Sequence, residues 1–172
     1  MRGEYLKAIR FYEESLQMSL SRTGKERNRE TALTLNRLGS LTRELCRYDE
    51  ALDYHQRALN IQKTSSSSAN PSTAETCVLM AMVRAKMCDY KPALKLYEDS
   101  LKVLRDKLGN EHLSVSKTLS QMGCVRYKLS NFNEAMEALT EAENHQLSSV
   151  GDLNRETLET QVSVSVSVRS VY

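Results

Sequence analysis

The sequence has no excess of one charge, no closely spaced cysteine pair and no long apolar run. Its 24 basic and 22 acidic residues give a net charge of +2, so the total favours neither nucleic acid nor an anionic membrane as partner. The four cysteines form no CxxC pair, and the N-terminal segment lacks the apolar core of a signal peptide. A reducing, cytoplasmic setting is therefore expected. No run of about eighteen apolar residues occurs, so no membrane insertion is expected either.

The sequence also lacks the common motifs of catalysis and metal binding. His55, His112 and His145 are too dispersed to form an HExxH motif or a zinc site, and there is no glycine-rich phosphate loop and no GxSxG motif. Helical repeats can read RNA, but they use a different period, and here the basic residues are interleaved with acids. We therefore expect no catalytic residues, no metal, no cofactor and no nucleic-acid partner.

What the sequence does contain is a repeat. The stretch ELCRYDEAL, from Glu44 to Leu52, is followed 42 residues later by KMCDYKPAL, from Lys86 to Leu94. Four aromatic residues and four alanines mark the repeat, with successive spacings of 43, 42 and 42 residues: Tyr5, Tyr48, Tyr90 and Phe132, and Ala8, Ala51, Ala93 and Ala135. The recurring cysteines Cys46 and Cys88 are thus interpreted as one repeated position rather than as a redox pair. They are expected to lie too far apart for a disulfide.

Each unit is predicted to be a helical hairpin. Apolar residues follow helical spacing at Leu35, Leu38 and Leu41, and again from Ala51 after a break. Small residues occupy the predicted turns and the predicted helix crossings, and we interpret both by size, because a bulky side chain would force the helices apart. They are Gly3, Cys46, Cys88 and Ser130 in the turns, and Gly39, Ala81, Gly123, Ala51, Ala93 and Ala135 at the crossings.

These units divide almost the whole chain. The predicted array covers residues 1–160, with a half repeat at 1–20, full repeats at about 30–63, 73–107 and 115–147, and the start of a further repeat from about 153. Residues 161–172 form an atypical Val/Ser tail. Because the half repeat lacks its first helix, Ile9, Phe11 and Leu16 are expected to have no partner. The chain is also expected to self-associate through its uncapped ends.

The repeat resembles the tetratricopeptide repeat. Gly39, Tyr48, Ala51, Ala58 and Leu59 match that pattern at the expected offsets. Leu108, Gly109 and His112 are similar to the linker of the kinesin light chain and nephrocystin-like subfamily, whose unit has 42 residues. The resemblance implies an all-α, right-handed superhelical solenoid of antiparallel helix hairpins. His55 departs from the pattern, since an aromatic residue is usual there, and we expect it to be half-buried.

The resemblance also places a binding surface. In such solenoids the first helices form a concave wall, which binds segments of other proteins. An asparagine such as Asn36 can donate to and accept from a peptide backbone, and arginines grip carboxylates. Five basic against two acidic wall residues predict acidic peptides with an apolar anchor. The predicted groove residues are Asn36, Arg37, Ser40, Arg43, Val78, Leu79, Met82, Lys86, Lys117, Gln121, Tyr127 and Lys128.

The sequence therefore predicts a non-catalytic scaffold that binds protein or peptide partners. The resemblance implies a kinesin light chain-like cargo adaptor, a microtubule motor adaptor that is cytoplasmic and associated with the cytoskeleton. The alternative is a regulatory repeat region of a larger nucleotide-dependent or other enzyme. A heptad coiled coil beyond these residues would favour the adaptor, and a P-loop would favour the enzyme.

Overall fold

The computed structural model describes residues 2–23, 29–65 and 70–150, and throughout these ranges the regular structure is helical, as predicted. A polar N-cap begins α4, where Asn70 accepts a hydrogen bond from the Ser72 amide and Pro71 occupies the first turn. His112 caps α6 in the same way, through the Ser114 amide. The helices are α1 (Arg2–Thr23), α2 (Arg29–Glu44), α3 (Tyr48–Ser65), α4 (Pro71–Lys86), α5 (Tyr90–Leu108), α6 (Leu113–Lys128) and α7 (Phe132–Val150).

The helices pack in sequential order. The pairs α2 with α3, α4 with α5, and α6 with α7 form three hairpins, and α1 packs against α2. Successive hairpins meet through α3 with α4 and through α5 with α6. In addition, α2 contacts α4, and α4 contacts α6. The first helices of the three hairpins therefore lie side by side, and we call the surface formed by α2, α4 and α6 the first-helix face.

The buried apolar residues form two clusters, one in α1 to α3 and the other in α4 to α7. Ile9 and Leu16 belong to the first cluster, where they contact α2. The expectation that they lack a partner is wrong, because the helix that follows α1 covers the face that carries them. Phe11, by contrast, is 71% exposed, since it points away from α2.

Two glycines allow the helices of a hairpin to approach closely. A Cβ atom added at Gly39 would lie 2.6 Å from Cε1 of His55, and one at Gly123 would lie 2.8 Å from Cγ of Leu139. Ala81, at the equivalent position of the middle hairpin, is completely buried, as are Ala51 and Ala93 on the second helices. The prediction that only small residues fit at these helix crossings is therefore correct.

The interpretation by size does not hold at the hairpin turns. Cys46, Cys88 and Ser130 have φ angles of 61°, 63° and 62°, which is the left-handed region that residues with a side chain rarely adopt. Around Cys46, Arg47 N–H donates to Thr42 C=O and Cys46 N–H donates to Arg43 C=O, the two bonds of a Schellman motif. The side chains of all three residues are exposed, so crowding does not explain them. Gly3, predicted as a fourth turn, lies within α1.

Replacing Cys88 with glycine is therefore expected to stabilise the protein. Removing Cβ from a left-handed residue should raise the free energy of unfolding by about 1 kcal/mol, after the greater freedom of glycine in the unfolded chain is subtracted. Urea denaturation followed by circular dichroism measures the change. Cys124→Gly is the matched control: Cys124 is exposed inside α6, where glycine should destabilise by about 1 kcal/mol. If both variants raise the free energy of unfolding, or both lower it, the left-handed conformation of Cys88 is contradicted.

Two further predictions concern the membrane and the tail. No helix in the described ranges is long and apolar enough to cross a membrane. The Val/Ser tail at 161–172 and the further repeat predicted from about 153 lie outside the described residues.

Candidate functional site

A cleft of about 400 Å³ opens where α1, α2 and α4 come together. Its apolar lining comes from Tyr12 on α1, Leu33 and Leu41 on α2, and Leu79 on α4. Polar residues from α2, α3 and α4 complete the lining: Asn36, Arg37, Ser40, Gln62, Ser72 and Glu75. The cleft thus combines an apolar surface with a polar one, the arrangement that holds and orients a side chain of a bound molecule.

The structure brings four of the predicted groove residues together in this cleft: Asn36, Arg37, Ser40 and Leu79. Arg43 and Met82 contact each other, since Arg43 Nη1 lies 3.4 Å from Met82 Sδ. Val78 is half-buried against the core of the later hairpins. The remaining predicted residues are exposed on α4 and α6 and do not line the cleft: Lys86, Lys117, Gln121, Tyr127 and Lys128.

Under the cleft lies a chain of side-chain hydrogen bonds that joins α3, α2 and α4. His55 Nδ1 lies 2.9 Å from Asn36 Oδ1, and Asn36 Nδ2 donates to Thr76 Oγ1 at 2.8 Å. Thr76 Oγ1 donates to Gln62 Oε1 at 2.9 Å, and Gln62 Nε2 donates to Ser72 Oγ at 3.0 Å. Because the carbonyl oxygen of Asn36 can only accept, the His55 ring carries its proton on Nδ1.

His55 itself is completely buried, so the expectation of a half-buried ring is wrong. The ring packs on Gly39, which offers no side chain to hold it away. Burial lowers the pKa of His55 to about 4, and the positive charge of Arg43 acts in the same direction. The imidazole is therefore neutral near pH 7, and its buried Nε2 has no hydrogen-bond partner among the described residues.

The two arginines of α2 differ in their surroundings. Arg37 is exposed and stacks on Tyr12, with its guanidinium carbon 5.6 Å from the ring centre and Nη1 3.1 Å from the phenol oxygen. Arg43 is only 12% exposed and lies 2.7 Å from the Glu44 carboxylate. Arg43 is thus paired with a carboxylate, whereas Arg37 presents its charge at the cleft.

The charges of α4 and α6 are arranged differently. Glu75, at the edge of the cleft, accepts a hydrogen bond of 2.8 Å from the Ser114 hydroxyl and so links α4 to α6. Lys86, Lys117 and Lys128 are exposed and form no ion pair with any residue in the described ranges. The first-helix face is therefore basic mainly on its α4 and α6 side, and mixed in charge at the cleft.

Sequence reasoning missed Tyr12, Leu41, Gln62 and Ser72 as cleft residues. Tyr12 comes from the helix before the first complete hairpin, and Gln62 from a second helix, whereas the prediction considered only the first helices. No spacing rule within one repeat connects these positions. Two of them share a signal: Gln62 and Ser72 lie on either side of the connection between α3 and α4, where successive hairpins meet.

The outer side of the molecule carries another concavity, of about 510 Å³, between α5, α6 and α7. Ion pairs cross it: Arg126 lies 3.4 Å from both Glu98 and Glu134, and Arg105 pairs with Glu141. Four of its six charged lining residues are therefore already paired: Glu98, Arg105, Arg126 and Glu141. Across the described part of the chain, no group of three or more His, Cys, Asp or Glu residues is placed to hold a metal ion.

The fold and the cleft define a helical-repeat protein of the kind that typically serves as a scaffold for protein–protein interaction. The chain belongs to the tetratricopeptide repeat family, whose family model matches residues 1–64 and 72–147. These repeats are generally non-catalytic. No curated protein sequence matches the chain.

Solved structures share the fold at low sequence identity. BtubC (BKLC) from P. vanneervenii is 20% identical with a TM-score of 0.74, and the match covers 87% of this chain and 59% of BtubC. Nearly identical TPR-like repeats from a candidate kinesin light chain of Podosopora anserina are 17% identical with a TM-score of 0.65, covering 86% and 70%. The apo form of RapI is 20% identical with a TM-score of 0.70, covering 98% and 45%. The chain therefore spans less than two thirds of BtubC and of RapI.

Proposed function

We propose that the protein binds peptide segments of partner proteins along its first-helix face, with an apolar side chain of the peptide in the cleft. The observation that carries this proposal is the cleft itself, whose apolar lining lies beside the exposed guanidinium of Arg37. An extended peptide rises about 3.3 Å per residue, and neighbouring helices lie about 8–10 Å apart. About three residues of the peptide therefore span the distance from one first helix to the next, and about six span the distance from α2 to α6, where Lys117 and Lys128 lie.

The charge of this face favours acidic partners. Lys86, Lys117 and Lys128 have no ion-pair partner among the described residues. These lysines are therefore available to pair with the carboxylates of a ligand. The proposed ligand is thus an acidic peptide with an apolar or aromatic anchor. We extend the proposal to a cytoplasmic, kinesin light chain-like cargo adaptor that is associated with the cytoskeleton. The fold shared with the candidate kinesin light chain repeats supports this extension.

Reversing the charge of Arg37 or Lys86 tests the proposed groove. Arg37→Glu and Lys86→Glu are each expected to weaken the binding of acidic peptides about tenfold at low salt, because each replaces an attraction with a repulsion. Fluorescence anisotropy with an array of labelled acidic peptides measures the affinity. Raising the salt to about 0.5 M should reduce the difference between parent and variants, because exposed charges are screened.

Lys95→Glu is the matched control, since Lys95 is exposed on α5 and lies outside the first-helix face. It makes the same charge change and should leave peptide binding within about twofold of the parent. If Arg37→Glu and Lys86→Glu bind acidic peptides as well as the parent does, and salt has no effect, the groove assignment is wrong.

The competing function is that of a regulatory region in a larger nucleotide-dependent or other enzyme. The coverage of the structural matches is compatible with it, since this chain spans only 45% of RapI and 59% of BtubC. Any sequence that flanks these 172 residues in the full-length protein would discriminate the two functions. A P-loop there favours the enzyme, whereas a heptad coiled coil favours the adaptor.

A further inference from the structure

The hydrogen-bond chain under the cleft runs in one direction, from His55 to Ser72. Each link uses a donor of one residue and an acceptor of the next, and this pairing fixes the orientation of the Asn36 amide. Because Thr76 Oγ1 also lies 3.1 Å from the Ser72 carbonyl oxygen, its hydrogen has two acceptors within reach, and the Gln62 amide keeps one N–H outside the chain in either orientation. The Asn36 amide cannot reverse alone, because its N–H group would then face the protonated Nδ1 of His55. Reversal would also move the ring proton of His55 to Nε2, a buried atom with no partner among the described residues.

A count of hydrogens shows what this chain leaves for a ligand. The Asn36 amide and the Gln62 amide each use one N–H within the chain, which leaves one N–H on each. Ser72 accepts from Gln62, and its own hydroxyl hydrogen has no acceptor among the described residues. All three residues line the cleft. Unmatched hydrogens in a partly buried site are costly, whereas a spare lone pair on oxygen costs less.

Ser40 adds nothing to these donors, because its hydroxyl already donates to the backbone carbonyl of Asn36 at 3.0 Å. Arg37, at the rim, has donors only. The carboxylate of Glu75 is the acidic group of the cleft, and it is already hydrogen-bonded to Ser114. The polar side of the cleft therefore presents mostly donors, in contrast to the expectation that Asn36 both donates to and accepts from a ligand.

We propose that this cleft selects a peptide in which a side-chain carbonyl or carboxylate oxygen lies beside an apolar side chain, and that His55 is the positioning residue that sets this preference. The apolar side chain contacts Leu41 and Leu79, and the oxygen accepts from the remaining N–H groups of Asn36 and Gln62. His55 does not touch the ligand. It acts by holding the Asn36 carbonyl oxygen, which keeps the N–H end of that amide on the side of α4. The inference rests on the proposed function and specifies the ligand of the same cleft.

Three matched peptides test the preference for an acceptor. They have about eight residues, a length suited to an extended groove, and differ only in having Gln, Met or Lys beside a central leucine. Gln offers an acceptor, Met has a similar shape without one, and Lys has donors only. At about 0.5 M salt, where long-range attraction is screened, the parent should bind the Gln peptide about tenfold more tightly than the other two. Fluorescence anisotropy measures the three affinities.

Variants of the hydrogen-bond chain test the role of His55. His55→Phe keeps a ring but removes the donor to Asn36, so the preference for Gln over Met should fall to about threefold or less. Thr76→Val keeps the shape while removing the acceptor of the Asn36 N–H, and Asn36→Asp removes the N–H groups themselves. Both should reduce the preference in the same way. Ser120→Ala, at the position equivalent to Asn36 in α6, should leave the ratio unchanged.

The outcomes separate this inference from the proposed function. If no peptide binds the parent, both are overturned. If the parent binds the three peptides equally, or if Thr76→Val and Asn36→Asp fold and keep the parent ratio, the selectivity is overturned while the groove stands. A purely structural role for His55 would weaken all three peptides by the same factor and leave the ratio intact. If His55→Phe fails to fold, the other two variants still decide whether the chain sets the preference.

Discussion

Replacing Gly39 with leucine is expected to lower the free energy of unfolding by about 3 kcal/mol or more. A Cβ atom at this position would lie 2.6 Å from Cε1 and 2.7 Å from Nε2 of His55, and this ring is completely buried and hydrogen-bonded to Asn36. The rest of the leucine side chain would separate α2 from α3. Even Gly39→Ala should destabilise, because the better helix propensity of alanine contributes only about 1 kcal/mol.

Urea denaturation followed by circular dichroism measures this loss, and Gly3→Leu is the matched control. Gly3 also lies within a helix, but a Cβ atom there would meet nothing within 4 Å. Gly3→Leu should therefore unfold at the same urea concentration as the parent or at a slightly higher one. If Gly39→Leu also unfolds with the parent, the close packing of α2 on α3 is contradicted.

Acidification is expected to destabilise the protein through His55. The pKa of this residue is lowered from 6.5 to about 4 by burial and by Arg43. At a pH between about 4 and 6.5, the unfolded chain therefore binds a proton at His55 and the folded chain does not. The contribution of the neutral ring is thus complete above about pH 6.5 and is lost as the pH falls towards 4, a loss of roughly 3 kcal/mol.

The variant His55→Phe isolates this contribution. At pH 7 it should be about 1 kcal/mol less stable than the parent, because Asn36 loses a hydrogen bond. Near pH 4 the order should reverse, since phenylalanine has no proton to bind. His112→Asn is the control: asparagine also caps helices, and His112 is exposed. Urea denaturation at a series of pH values measures the curves, and parallel curves for parent and His55→Phe would refute the assignment.

The helical fold was predictable because it depends on local regularities. Apolar residues at helical spacing, the recurring Tyr48, Tyr90 and Phe132, and small residues such as Gly39 all act within one hairpin or between neighbours. The left-handed turns were predicted in the right place but for the wrong reason. The sequence alone does not show whether a small residue lies at a crowded position or at a turn with a positive φ angle. For Cys88 the structure decides, because the residue is exposed and has a positive φ angle.

The cleft was only partly predictable because its residues come from four different helices. Arg37 and Leu79 follow from the pattern of the first helices, but Tyr12 and Gln62 require the packing of successive hairpins. The sequence could not show that Asn36 is already hydrogen-bonded on both sides, because its partners His55 and Thr76 are 19 and 40 residues away. Long-range hydrogen bonds of this kind leave no periodic pattern.

The position of the hydrogen-bond chain also affects the cooperativity of unfolding. One apolar cluster ends in α3 and the other begins in α4. The boundary between the clusters is crossed by the hydrogen bond from Thr76 on α4 to Gln62 on α3. In a linear array, each interface adds its own coupling energy to the stability of the units. The coupling between the first hairpin and the second thus includes directional hydrogen bonds as well as the packing of α3 on α4. We therefore expect the two halves to unfold as partly separate units, and we expect a peptide bound in the cleft, which is lined by α1 to α4, to strengthen the coupling between them.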